Sequence, residues 1–437
     1  MKTDAVVIGS GIGGICAASL LAHYGYKPIL LEKLDILGGR YTTIDYHGYL
    51  ITSGAIYIDN IRGSTIQVLA ELGLEPEVKV VMPKPFLKYR IDGKDYEVPE
   101  KGGIMRLLSL VSKDEAEANR VATAFKRALA WQEPSDEIDF WGWLSRYTDN
   151  QKIYRVWHGL ACTMGNIELD RMKAGAFIRM VKMFRASGSG YLWAKGHNRD
   201  IINVLSNYIK AKGGQILTRT RVKHIKVKDG VAAGVIAEQS GKELDIDARL
   251  VLSNAGPKET VRLAGQENFD RGHLKEVEMS DTPCIGINMF FECDQPMLDF
   301  PGVINIVDTE MPCSVMDPSL TWPTYAPSGK NVLWLWQPVT AKPRSIEEEL
   351  QKSLNHCRQN FKDFDKHCRL LIVQTFQGDW PVMRSTPGTT IDQKTTVENL
   401  YNVGDGVSPF GYVMGEGAAE SARVVMEDIK KRMPPSS

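Results

Sequence analysis

The first thirty-two residues leave the rest of the chain little freedom. An apolar run over residues 3–9 meets Gly9-Ser10-Gly11-Ile12-Gly13-Gly14, and a second apolar run, Lys27-Pro28-Ile29-Leu30-Leu31-Glu32, ends in a carboxylate. The small residues between, from Gly11 to Tyr24, predict a helix closed by Gly25, which suits a left-handed cap. Strand, helix and strand in this span make a β-α-β unit with a right-handed parallel crossover. In Gly9-x-Gly11-x-x-Gly14, Gly9 makes the tight turn, Gly11 lets backbone approach a pyrophosphate, and Gly14 lets helix pack on strand. The helix N-terminus offers free N–H groups and a positive dipole end to phosphate. Glu32 is placed to accept ribose hydroxyls and to repel a 2′-phosphate. A dinucleotide site is therefore expected over Gly9, Ser10, Gly11, Ile12, Gly13, Gly14, Glu32 and Lys33.

Near its other end the chain returns to the same chemistry. Leu400-Tyr401-Asn402-Val403-Gly404-Asp405-Gly406 reads as a strand running into a glycine turn. Gly415-Glu416-Gly417-Ala418-Ala419-Glu420-Ser421-Ala422 opens a last small-residue helix. An acid at Asp405 suits the hydroxyls of a ribityl chain, which NAD lacks. The helix N-terminus suits the pyrimidine edge of a flavin, where negative charge grows on reduction. Leu37-Gly38-Gly39-Arg40 adds a guanidinium within reach of the pyrophosphate. These features select FAD, gripped by both ends of one chain.

Composition narrows the class. At 437 residues the chain exceeds one ordinary core, so two interlocked domains are expected. Lys plus Arg equal Asp plus Glu at 53 each, which gives nucleic acid no basic footprint. No run of about 18 apolar residues marks a membrane span. A strand begun by residue 4 leaves no room for a cleaved signal peptide, so a cytoplasmic protein is expected. The seven cysteines form no CxxC pair and match no metal pattern, so no metal is expected and the thiols read as reduced core residues.

Residues 103–185 read as helical and rich in Trp and Met, including Trp131, Trp141, Trp143, Trp157, Met172, Met180 and Met183. Such residues pack cores and also line sites for large apolar ligands. Ile201 to Leu217 reads as a helix then a strand, and Val222 to Asp247 as a three-stranded antiparallel meander turning at Asp229-Gly230 and Ser240-Gly241. Val251-Leu252-Ser253-Asn254-Ala255-Gly256 follows as a separate strand entering a glycine turn, which adds Asn254 and Ala255 to the cofactor site. Strands are expected at Cys284–Cys293, Gly302–Val307, Val332–Gln337 and Leu370–Phe376. Ser345 and Glu348 form a capping box before a helix whose stripe is Leu350, Leu354, Cys357, Phe361 and Phe364. The tail Pro434-Pro435-Ser436-Ser437 reads as disordered.

The string from Gly9 through Glu32 to Gly39-Arg40, with Leu400–Ser421 at the far end, resembles the phytoene desaturase-like branch of the flavin amine oxidase superfamily. The resemblance covers both glycine-rich ends and, more loosely, the meander. It implies that Glu32 binds the adenosine ribose, Gly38, Gly39 and Arg40 the phosphates, and Val222 the adenine through its backbone. It implies Gly404 and Asp405 on the ribityl side and Val413 with Met414 near the isoalloxazine. Asp379-Trp380-Pro381-Val382-Met383-Arg384 also resembles a segment of prokaryotic members that lies near the flavin. Lys195-Gly196-His197-Asn198 departs from the Gly-Gly-Met segment of many desaturases, which weakens transfer of a carotenoid substrate. The fold expected is α/β: a Rossmann-like FAD-binding domain (GR2-type) with an inserted antiparallel meander, plus a mixed-sheet and helical substrate domain. The FAD-binding domain takes residues 1–95, 195–270 and 385–437; the substrate domain takes 96–194 and 271–384.

Bound FAD implies hydride transfer between a substrate C–H and flavin N5, which needs orientation and dryness more than a catalytic side chain. Candidates beside the ring are Tyr191, Trp193, His197, Trp380, Arg384 and Tyr412. Of these His197 is the candidate acid or base, and Trp380 and Tyr412 the candidate walls. No second GxGxxG exists for NADPH, so an external electron acceptor or donor is expected. The leading expectation is a desaturase or saturase acting on a C–C bond of an apolar, isoprenoid-like substrate, with contact at a membrane surface compatible with the same residues. Amine oxidation, flavin-dependent double-bond isomerisation, and a lipid chaperone without FAD are the rivals.

Overall fold

The computed structural model describes residues 1–58, 60–188, 190–309, 311–339 and 345–435. Its strands in chain order are β1 (Lys2–Ile8), β2 (Pro28–Leu31), β3 (Thr43–Tyr46), β4 (Tyr49–Thr52), β5 (Val80–Val81), β6 (Leu87–Ile91) and β7 (Lys94–Glu97). There follow β8 (Trp193–Ala194), β9 (Gln215–Leu217), β10 (Thr220–Lys228), β11 (Val231–Gln239) and β12 (Lys242–Ser253). The rest are β13 (Ile285–Cys293), β14 (Val303–Ile306), β15 (Cys313–Met316), β16 (Asn331–Val339), β17 (Cys368–Phe376) and β18 (Leu400–Asn402).

Ala5 to Ile8 are buried on both faces, as a parallel strand between two covering layers must be. β1 pairs in parallel with β2 on one side and β12 on the other, giving the order β10-β11-β12-β1-β2-β9 with β18 added against β12. The first helix, Ile12–His23, is apolar nearly all round, because the sheet covers one side while the helices Asn198–Ala211 and Met414–Arg432 cover the other. Both hairpins of the meander turn where expected. Asp229, Gly230, Ser240 and Gly241 all carry positive φ, the geometry that matches hairpin twist. The expected break between Asp247 and Val251 is absent. Asp247 pairs with Gly234 on β11 and with Lys2 on β1, so one long strand leaves the meander and enters the parallel sheet.

The second sheet has the order β17-β13-β16-β15-β14-β6-β7, mixed because β14 runs parallel to β6 and the other neighbours are antiparallel. Ile287, Met289, Phe291 and Cys293 on its outer face pack against the helix Ile346–Asn360, which Ser345 and Glu348 cap as expected. The β6–β7 hairpin corrects the expected boundary at residue 95. Leu87 pairs with Val303, a contact between distant residues that local pattern does not reveal. β15 was also unforeseen. The inner face of the sheet looks toward the helices between Gly103 and Ser187 and toward the first sheet. All seven cysteines are buried free thiols. Pro434 accepts a hydrogen bond from Arg249 at 3.1 Å, while Ser436 and Ser437 of the expected disordered tail lie outside the described residues. No helix among the described residues is long and apolar enough to cross a membrane.

Candidate active site

Two glycines fix how closely the chain ends interlock. A Cβ on Gly14 would lie 2.0 Å from the Gly9 carbonyl oxygen, so only glycine lets the first helix start against β1. A Cβ on Gly13 would lie 2.9 Å from Gly404 Cα and 3.0 Å from the Ala418 carbonyl, so the closing helix packs on bare backbone. Asn254 bridges the two ends. Its amide nitrogen donates to the Val403 carbonyl at 3.1 Å and its oxygen accepts from the Gly11 N–H at 3.1 Å. Gly11 therefore faces a protein side chain as well as the expected path of a phosphate.

Glu32, at the end of β2, is buried. One carboxylate oxygen accepts from the Ser10 N–H (2.8 Å) and hydroxyl (2.6 Å), the other from the Leu34 N–H (2.9 Å). A carboxylate offers about four acceptor sites, so room for a ribose hydroxyl remains. β10 begins at this corner, where Thr220 donates to the Glu32 carbonyl, and Val222 follows two residues on. Ile12 lines the main cavity and Ser10 is fully buried behind it, whereas Lys33 is exposed and Ala255 half-buried beside Asn254.

Arg40 and Asp405 meet each other. The guanidinium holds both carboxylate oxygens, at 2.8 and 3.0 Å, and also donates to the Pro381 and Val382 carbonyls at 2.8 and 2.9 Å. Burial pushes the Asp405 carboxyl up, but Arg40, then Arg384, hold it below the usual carboxylate range. Burial and the like charge of Arg40 draw Arg384 below the ordinary guanidinium value.

A cavity of about 900 Å³, counted to its open mouth, runs from this cradle to the second sheet. Gly11, Ile12, Gly13, Gly38, Arg40, Asn254 and Asp405 line its near end; Tyr57, Thr163, Asn166, Trp336 and Phe376 line its far end. Through Tyr41, Ala55, Ile56, Tyr57, Met414 and Gly415 it adjoins a second chamber of about 560 Å³, lined by Met164, Met180, Met183, Phe184, Tyr191 and Tyr412. Tyr57 and Tyr191 stack at the junction with ring centroids 4.5 Å apart. The first helix and the closing helix both begin without a capping side chain, and both starts line the main cavity. Two positive helix ends and a glycine cradle on one cavity, with the Glu32 carboxylate buried at the end of β2, fit a dinucleotide whose pyrophosphate and reduced ring are anionic.

Tyr412, Val413 and Met414 line the chambers as expected. His197 does not. It is 0% exposed, with Nδ1 2.6 Å from the Thr43 hydroxyl and Nε2 2.7 Å from the Ile56 carbonyl, and burial depresses its pKa to about 4. A neutral imidazole with both nitrogens engaged is a strut that holds the Ala55–Tyr57 wall, not an acid or base. Trp380 is likewise displaced. Its indole donates to the Ser53 carbonyl at 3.3 Å outside both chambers, because β17 ends at Phe376, which takes the wall position instead. Trp193 is buried behind β5, whereas Val382 of the 379–384 segment does reach the cavity. Thr163, Asn166, Trp336 and Phe376 escaped the sequence; the only signal was an aromatic on each of two expected strands.

A family model for flavin containing amine oxidoreductases matches residues 12–429. The chain belongs to this family. An uncharacterized protein of Methanocaldococcus jannaschii is 25% identical over 97% of this chain and 98% of its own length. The 15-cis-phytoene desaturase of Capsicum annuum is 21% identical over 98% of this chain and 77% of its own. An oxidoreductase structure from Methanosarcina mazei superposes with a TM-score of 0.87 at 25% identity, over 98% of this chain and 100% of that one. Within the family the chain sits with the phytoene desaturase-like branch, and it is an FAD-dependent oxidoreductase.

Proposed function

We propose that this flavoenzyme adds hydrogen to, or removes it from, a C–C bond of an apolar substrate held where the two chambers join. The observation that carries this reading is the lining: beyond the cradle, the walls are Tyr57, Trp336, Phe376, Met164, Met180, Met183 and Phe184, with no lysine or histidine among the described residues lining either chamber. FAD, when bound, supplies a two-electron centre at its ring N5. The protein's part is placement and exclusion of water. Burial raises the Tyr57 phenol above its ordinary value, so its hydroxyl stays protonated at the junction. Asp405 in the main cavity is held by Arg40, and Glu416, the carboxylate lining the second chamber, accepts from the Asn60 amide and the Ser187 hydroxyl. Amine oxidation is the runner-up within the family.

Exposed Val80 and Val81 pair with Ala194 and Trp193, and exposed Ile61 adjoins Asn60, which bridges Tyr191 of the second chamber; this supports entry of an apolar substrate from a lipid surface. The test is anaerobic bleaching of the flavin spectrum across polyenes, saturated isoprenoids and primary amines, followed by the reverse reaction with prereduced protein. Bleaching by amines alone ends the C–C proposal. Products rearranged without net change in flavin would move it to isomerisation.

A further inference from the structure

The sheet face behind the far wall of the main cavity carries polar atoms without partners among the described residues, although the Gln374 amide nitrogen donates to the Thr52 carbonyl at 2.7 Å. Gln374, Asn288 and Trp336 stand directly opposite one another across β17, β13 and β16, so their side chains share one face of the sheet. Trp336 and Phe376 on that face line the cavity, and Asn288, paired with Trp336, sits just beneath that lining. Asn288 is 1% exposed, yet neither its amide nitrogen nor its amide oxygen has a hydrogen-bond partner among the described residues. The Gln374 amide oxygen beside it is buried and unpartnered too.

A second amide reaches the same corner from the helical side. The helix Gln151–Leu160 widens into a π turn, Ala161–Gly165, a distortion common at functional sites. Asn166 follows it in the left-handed conformation, φ 54°, which asparagine tolerates better than most residues. Asn166 lines the cavity, is 6% exposed, and its buried amide nitrogen has no hydrogen-bond partner among the described residues. The turn is clamped to the sheet by Thr163, bonded to Asn305 (2.9 Å) and Ser314 (3.0 Å), and by the Trp336 indole, which donates to the Cys162 carbonyl at 3.4 Å. Asn166 and Trp336 thus line one cavity, with Asn288 paired to Trp336 across the strands.

Buried amides without partners are costly, and a pure hydrocarbon would leave that cost in place. A carboxylate would find no uncommitted cation among the described residues lining the main cavity, because Arg40 there is spent on Asp405, Pro381 and Val382. We infer that this uncharged amide floor anchors a neutral carbonyl or hydroxyl oxygen on an otherwise apolar substrate. The inference rests on the apolar-substrate reading above and narrows it.

A matched pair of probes tests it: 2-acetylnaphthalene and 2-ethylnaphthalene, alike in shape and differing in one carbonyl. Dissociation constants are measured by equilibrium dialysis against the FAD-loaded protein. We expect the ketone to bind about tenfold more tightly or better. Asn288→Leu and Asn166→Gly should each erase most of that preference, leave the hydrocarbon's affinity unchanged and retain full flavin. Asn166→Gly suits the left-handed backbone, so folding is preserved. Asn288→Leu should melt at the same or a higher temperature, because an apolar side chain replaces an orphaned amide; a structural asparagine would lower it. Equal affinities in the wild-type protein, or a preference that survives both variants, overturn the anchor, as would water alone filling the floor. Loss of flavin from either variant gives these amides to the cofactor and also overturns it. Failure of both probes to bind overturns the anchor together with the apolar site, whereas failure of the redox reading shows separately in the bleaching panel.

Discussion

The two ends of the main cavity treat their polar groups in opposite ways. At the cradle, Glu32 is held by Ser10 and Leu34, Asn254 joins Gly11 to Val403, and Arg40 closes on Asp405. At the second sheet, Asn288, Gln374 and Asn166 are buried with bonding capacity left over. The cradle's shape is kept by the protein's own bonds. The floor leaves polar atoms without partners among the described residues, at a cost in stability. A similar division runs through the helical segment. Trp143, Trp157 and Met172 are packed among Phe125, Phe140 and Phe177, whereas Met180 and Met183 face the second chamber. Core packing and cavity lining both occur among these residues, on different elements.

Breaking the cradle should have the largest effect. Arg40→Met leaves the Asp405 carboxylate buried without its partner, which should cost about 3–5 kcal/mol of folding stability. The double variant Arg40→Met/Asp405→Leu should recover most of it, and denaturant unfolding of both reads the difference. If the single variant is as stable as wild type, the cradle is not held by this pair.

The strut behind the wall comes next. His197 has a folded pKa of about 4 against an ordinary 6.5, so its contribution is fully present above pH 6.5 and is lost as pH falls toward 4. That contribution is about 3 kcal/mol. His197→Gln should flatten this part of the pH–stability curve while leaving flavin bound. An unchanged slope would place the imidazole's proton elsewhere.

The smallest effect sharpens the comparison most. Glu32→Ala should weaken FAD retention by about 1–3 kcal/mol. Part of that loss comes from releasing Ser10 and Leu34, so Ser10→Ala should reproduce a fraction of it. Flavin-to-protein absorbance ratios measure both. Equal flavin occupancy in Glu32→Ala and wild type would remove Glu32 from the ribose.

The β-α-β start, the meander with its two glycine turns, the capping box and the glycines of both ends were legible because each is a local pattern: a period, a cap or a φ that few residues adopt. FAD followed from those local signals. The β6–β7 hairpin, the unbroken β12 and the wall made by Trp336 and Phe376 were not legible, since strand pairing across distant positions decides them. His197 and Trp380 show the same limit from the other side. Their residue types suit a flavin site, but hydrogen bonds to the Ile56 and Ser53 carbonyls turn both away from it. Sequence alone determined which cofactor this chain can grip, because glycine and carboxylate spacing encode that grip directly. Only the tertiary structure decided what lines the cavity opposite the cradle, because Trp336 and Asn166 meet there only when a sheet register and a π turn bring them to one wall.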